Sequence, residues 1–492
     1  MRAERNACVA CAAGTAIAAA AAALALSAPA RADAPMQATE LAQDPPAARA
    51  IVGAVVCVAS HGAGDRAITT LWAGTPWIGG TAANSGAIAA WRHDPATGAW
   101  TNAGTITSGA GNSGGGFGAA IAYAGLEDGS GFLVVGSPHR KSSATGGIIR
   151  GYAEVIALPD PAGAPGVGTA VELSQGALWY DRFGHAVAAT RSGGTWHAVV
   201  SMPFREFSLR DAGEVQVFRR DAATAFTRIA QLRSPAPTQD ARLGEALAAH
   251  GDRIYASHGW GTPRVAVFAF DAGVPAFEGW IDPPAGVDGF ATGFGRAIAC
   301  DGTLVAVGAP GPRIGDPSVG AVYLFDAAPP HALRATVASP FPGECAGFGS
   351  AIALRDGLLV IGTAEGATDL AAGQAAIHRI ELSAESVGTP VIEVDAGETA
   401  FGCAVATDGR SVAIGAPAAG DGASGKVRVL TPMSGPRSPD LDGDGWVMGN
   451  DLGILLLAFG ERAGDPADLN RDGTVDGTDL GLLLAAWGPT RE

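Results

Sequence analysis

"FGRAIACDGTLVAVGAP" spans residues 294–310, and its reading decides the fold. A Phe-Gly pair opens it, a short run leads to Asp301-Gly302, and a second apolar run ends on Gly308, Ala309 and Pro310. Runs with a period of two, split by a DG turn, are strands of a hairpin, because alternate side chains share one face. The stretch returns as "FGSAIALRDGLLVIGTA" at 348–364 and as "FGCAVATDGRSVAIGAP" at 401–417. Weaker copies begin at Phe117, Phe183 and Leu243, and a degenerate one at Val52.

Aligning the closing tripeptides gives GTP at 74, GSP at 136, SMP at 201, SHG at 257, GAP at 308, GTA at 362 and GAP at 415, hence seven units. After each tripeptide comes a loop and then a further alternating run, such as "GEVQVFRRD" (213–221) or "GAVYLFD" (320–326). Repeats of about 51 to 66 residues with roughly four short strands apiece predict the blades of a propeller. An outer strand follows, as in "FTRIAQLRSP" (226–235), but the seventh unit runs into "TPMSGPRSPD" and has none. "MQATELAQD" (36–44) stands in the same relation to Val52-Gly53 as those outer strands do to the next Phe-Gly. It is expected to complete the last blade, closing the circle and removing a sheet edge.

Seven such units resemble the FG-GAP repeat family, known from the head of integrin alpha chains, over about residues 36–432. The resemblance implies an all-β seven-bladed propeller across 33–432. Many FG-GAP blades carry a DxDxDG calcium loop between the Phe-Gly strand and the GAP strand, whereas this chain has only "CDGT", "RDGL" and "TDGR" there. One carboxylate beside a glycine makes a turn and not a calcium cage, so calcium is expected in the tail alone.

That tail begins after a linker at 433–439 with "PDLDGDGWVMGND" (439–451). On the twelve-residue calcium loop Asp440, Asp442 and Asp444 take positions one, three and five, Gly445 makes the turn, Trp446 offers its carbonyl, and Asp451 closes. The pattern returns at Asp468, Asn470, Asp472, Thr474 (carbonyl) and Asp479, with Asp476 at position nine, where a ligand usually acts through water. The offset is 28 residues, 468 minus 440. Each loop runs into a near-identical apolar helix pattern, "LGILLLAFG" (452–460) and "LGLLLAAWG" (480–488).

Residues 440–492 therefore resemble a type I dockerin, a small α-helical, duplicated calcium loop-helix module. The resemblance implies two Ca2+ sites and docking to a cohesin-like or other extracellular protein. The helices depart from the best-studied members in lacking a basic pair after the leucines. Met448 stands at position nine of the first loop, so that site is expected to be the weaker. The helices are apolar all round, so part of their surface faces either a partner or the preceding domain.

The 492 residues carry a net charge of −16, which disfavours nucleic acid and anionic membrane as partners. Arg2 and Arg5 precede an Ala-rich apolar run, and Ala30 and Ala32 form a small-residue cleavage pattern, so 1–32 reads as a secretory signal peptide and the mature chain as secreted, without a membrane span. Cys57, Cys300, Cys345 and Cys403 remain as core residues or as one or two disulfides.

The third residue after the start of each tripeptide falls in an exposed loop, and in units one to four it is Trp77, His139, Phe204 and Trp260. One arc of the rim would then carry four rings, a platform for a glycan or protein. Trp179, Tyr180, Asp181 and Arg182 form a polar aromatic cluster before Phe183. No GxSxG or HExxH motif occurs, so a non-enzymatic adhesion protein is the first expectation, and a polysaccharide-active enzyme recruited through its tail is the second.

Overall fold

A computed structural model of the chain describes residues 36–42, 52–61, 68–76, 86–95, 98–108, 115–125, 130–142, 148–158, 170–173, 180–207, 209–222, 225–259, 262–311, 320–340, 347–363, 372–381, 386–387, 391–417, 425–432, 439–442, 445–460, 467–469 and 475–489. Up to Pro432 these form seven large antiparallel sheets, six of four strands and one of five, besides a two-stranded pair of Lys141–Ser142 with Ile148–Ile149. In the first, Val55–His61, Ile68–Thr75, Ala87–His93 and Trp100–Ile106 pair in that order. The third repeats the meander as Val187–Ser192, Thr195–Met202, Glu214–Ala222 and Ala225–Leu232. The innermost strand of each sheet packs beside that of the next, and Ala404–Thr407 of the seventh returns to Val55–His61 of the first. This cyclic order is a seven-bladed β-propeller.

Met36–Leu41 lies antiparallel to Lys426–Pro432, with Met36 opposite Pro432 and Leu41 opposite Val427. It is the outermost strand of the seventh blade, whose other three strands come from residues 404–432. Glu40 reinforces the pairing by accepting from Lys426 Nζ at 3.3 Å and Arg428 at 3.0 Å. Backbone hydrogen bonds thus fasten the first described residues to the last blade.

The core is divided among the blade interfaces. Trp72, Ile88 and Ile106 of the first blade pack with Phe117, Leu133 and Val135 of the second. The neighbouring residues Leu71, Ala73, Ala89 and Trp91 point the other way, onto Val427 and Val429 of the seventh. Middle strands are therefore covered on both faces, and their sequences are continuous apolar runs instead of strict alternations.

The repeated Phe-Gly and GAP-like signatures meet at these interfaces. Within a blade the Phe-Gly glycine donates its N–H to the carbonyl of the GAP glycine, Gly295 to Gly308 and Gly402 to Gly415, both at 2.9 Å. Between blades the GAP glycine abuts the next Phe-Gly carbonyl so closely that a Cβ on Gly308 would sit 2.0 Å from Gly349 O. Blades three and four place Ser201 and Ser257 there instead, and each hydroxyl accepts from a backbone N–H of its own blade, Ala186 at 3.0 Å and Ala246 at 2.7 Å.

Cys57, Cys300 and Cys403 form no disulfide among the described residues, and desolvation pushes the half-buried thiols of Cys57 and Cys300 up to about 12, so both stay protonated and unreactive. Cys345, the signal-peptide reading of 1–32 and most of the 433–439 linker lie outside the described residues. No helix among the described residues is long and apolar enough to cross a membrane.

Beyond the propeller, Gly449–Leu457 and Gly477–Ala485 form two helices, again 28 residues apart. Their core of Val447, Leu455, Ala458, Ala467, Leu469, Val475 and Leu483 contains the pairs 447/475 and 455/483 at the same offset. Val447 pairs with Gly488, and Gly460 donates to the carbonyl of Val475, so each helix ends against the other half's loop. The two halves make one interlocked unit.

The glycine contact yields a direct test. Gly308→Ala is expected to destabilise the propeller by about 2 kcal/mol or more, since overpacking against backbone cannot relax through a rotamer change. Gly279→Ala, where an added Cβ meets nothing within 4 Å, is expected to stay within about 0.5 kcal/mol of the parent. Denaturant unfolding of both variants measures the contrast.

Candidate functional site

Two places gather functional side chains: the acidic loops of the tail and the rim of blades two to four. In the first tail loop the carboxylate oxygens of Asp440, Asp442 and Asp451 lie within 4.8 Å of one another. Asp451 is fully buried, and it accepts from Leu441 N at 2.7 Å, Asp442 N at 3.2 Å and Met448 N at 2.8 Å. Burial works to raise its pKa, but those backbone donors outweigh it and hold the carboxyl below the usual range. Asp440 is oriented by Gly445, whose N–H donates to it at 2.9 Å. Charges on three carboxylates in so small a space would repel, and a hard divalent cation with oxygen ligands reverses the sign of that interaction.

Trp446 has an exposed side chain, and its backbone pairs with Pro489. Asp444 lies outside the described residues. In the second loop Asp468 and Asp479 are buried, and Asp479 accepts from Asp476 N at 2.8 Å, the counterpart of the Asp451–Met448 bond. Asp476 caps its helix by accepting from Thr478 N at 2.7 Å, a role Met448 cannot fill. Asn470, Asp472 and Thr474 lie outside the described residues. On the helices Leu456, Leu457, Phe459, Leu484 and Trp487 are each at least half exposed, so the propeller does not cover them. Of the two fates open to this apolar surface, burial against the preceding domain is not the one observed.

On the rim, Trp77 and Trp260 lie outside the described residues. His139 is half-buried, and burial together with Arg182 lowers its pKa. Phe204 is also half-buried, with the guanidinium of Arg182 over its ring at 4.4 Å and that of Arg242 at 4.8 Å from the centroid. His185 meets the same ring edge-on at 6.3 Å. Asp181 is buried and paired with Arg205 at 2.7 Å, and Glu245 pairs with Arg296 at 3.4 Å. The chemistry presented at Phe204 is therefore cationic as well as aromatic. Arg242 and His185 carried no motif in the sequence. The signal that could have found Arg182 and Arg242 together is their shared position immediately before Phe183 and Leu243.

No protein-family model matches the chain, and no curated protein matches it.

Burial lowers the pKa of His93, His139, His185, His197, His250 and His258 alike, His185 to about 4. Unfolded histidine protonates near 6.5, so between that value and the depressed folded one the unfolded chain binds more protons, and stability falls as the pH falls. The melting temperature is expected to drop on acidification from pH 7 to 4.5, and His185→Gln to flatten that slope by on the order of 2 kcal/mol at its acid end. A melting profile independent of pH over this window would refute the assignment of neutral histidines.

Proposed function

We propose that the chain is a secreted, non-enzymatic recognition protein whose propeller holds a protein or glycan on its rim and whose tail takes up calcium and docks to an extracellular partner. The observation that carries this reading is the convergence of Asp440, Asp442 and Asp451 beside an apolar helix surface that the propeller leaves uncovered. A closed ring of sheets is a rigid support for loops, which suits recognition. The likeness of the repeats to FG-GAP units and of the tail to a type I dockerin supports the same division of labour, with a cohesin-like module as one candidate partner.

In the first loop the calcium ligands would be Asp440, Asp442, Asp444, Asp451 and the Trp446 carbonyl. In the second they would be Asp468, Asn470, Asp472, Asp479 and the Thr474 carbonyl, with Asp476 acting through a water. A unit of about 50 residues buries little surface, so neutralising its clustered carboxylates contributes a large share of its stability. Ion binding and exposure of an ordered helical surface are then one event.

Chelation is expected to abolish the helical circular dichroism of the tail while the β signal of the propeller persists; helical signal unchanged by chelator would sink the calcium assignment. Calcium titration should resolve two sites, the weaker one lost in Asp451→Asn. Incubating the full chain with a glycan panel separates recognition from catalysis: retention without product is expected, and released oligosaccharide would replace this reading with that of a polysaccharide-active enzyme.

A further inference from the structure

In blades two to seven the residue immediately before the Phe-Gly or Leu-Gly pair adopts a left-handed backbone. It is Gly116 (φ 65°) before the second blade, Gly293 (φ 66°) before the fifth, Gly347 (φ 97°) before the sixth and Ala400 (φ 60°) before the seventh. Before blades three and four the same place is taken by Arg182 (φ 55°) and Arg242 (φ 48°). Glycine enters this conformation without penalty and a side chain with a Cβ does not. Before the seventh blade Ala400 also holds a Cβ there, but blades three and four alone place a long cationic side chain in this conformation, and strain kept at two consecutive loops points to a role for those side chains.

Both strained residues send their guanidiniums to one ring, Phe204. The ring attracts the cations but accepts no conventional hydrogen bond, so its contact with Arg182 takes up none of that guanidinium's N–H donors. The carboxylates near them in sequence are paired with other arginines, Asp181 with Arg205, Asp240 with Arg210 and Glu245 with Arg296, although Asp240 also feels the charge of Arg242. Among the described residues no carboxylate lies within ion-pair distance of Arg182. Two residues before it, Tyr180 is 63% exposed, is itself left-handed (φ 64°), and is tied to the second blade through its N–H to Ile149 O at 2.8 Å. An exposed phenol ring on fixed backbone, two residues in sequence from an oriented guanidinium, suits a sugar ring that bears an acid group: the ring offers a face for stacking, the guanidinium a planar fork for the oxyanion.

We propose that Arg182, Arg242 and Phe204, with Tyr180 two residues before the first of them, form a binding site for an anionic saccharide carrying carboxylate or sulfate groups. The proposal rests on the recognition reading given above and names its ligand class. It also gives a reason for placing arginines at strained positions in a chain of net charge −16, since the surrounding field otherwise repels such a polymer.

The test is retention of the full chain, with chelator present to silence the tail, on immobilised polygalacturonate, dextran sulfate and neutral dextran. Retention on one or both acidic polymers and not on neutral dextran is expected, weakening as salt rises, and the preferred polymer identifies carboxylate or sulfate as the recognised group. Arg182→Gly should lower affinity at least tenfold while leaving the melting temperature unchanged or higher, because glycine relieves the left-handed strain; Arg182→Lys should retain part of the binding. A merely structural arginine would instead lower the melting temperature and leave retention intact. Equal retention of the parent and Arg182→Gly, equal retention on neutral dextran, or no retention on either acidic polymer would overturn the proposal. Binding to a neutral glycan or a protein that is insensitive to Arg182→Gly would do the same while leaving the recognition role standing.

Discussion

The propeller depends on one contact, the seating of the GAP glycine against the carbonyl of the next Phe-Gly, made in five of the seven blades. There it is closer than a Cβ allows, with 2.0 Å from a notional Cβ on Gly415 to Gly53 O as at Gly308 and Gly349. It sets the approach of adjacent sheets, and the nearly fully buried Phe117, Phe183, Phe294, Phe348 and Phe401 then fill the interface behind it. Repeated round a circle, the same spacing returns the seventh blade to the first, where Val52 and Gly53 take the Phe-Gly place. The outer strand Met36–Leu41 needs only to pair with an edge that this geometry has already put in reach.

A scaffold so regular makes its irregularities informative. Ser201 and Ser257 stand in for glycine in blades three and four, and the strained Arg182 and Arg242 precede those same two blades. Both kinds of departure thus coincide in one arc, which also carries Phe204 and His185, while Ala400 before the seventh blade is an isolated case. The tail is regular in another way: its 28-residue duplication appears in the core pairs 447/475 and 455/483, and each half caps the other. Asp451 illustrates the economy of that unit, since one buried carboxylate organises the loop backbone and faces the two other acids of the cluster.

Much of this was legible in the residues. The period of two, the DG turns and the seven tripeptides point to blades, and the residues themselves place the acidic loops and their helices, because local hydrogen bonding and turn chemistry are written in neighbouring positions. The rim was legible only in part. Counting three residues past each tripeptide selects Phe204 as an exposed ring, yet the ring is half-buried beneath guanidiniums that arrive from the starts of blades three and four. A contact between residues 182, 204 and 242 leaves no trace in local periodicity.

The sequence by itself determined the repeat, its number and the loop chemistry of the tail, since each follows from interactions within a few residues. Only the tertiary structure decided which face of the tail helices stays uncovered, which cysteines are core thiols, and which arginines meet over one aromatic ring. Those outcomes depend on how separate blades and helices come together in space, and desolvation and charge pairing are properties of that assembly and not of any single segment.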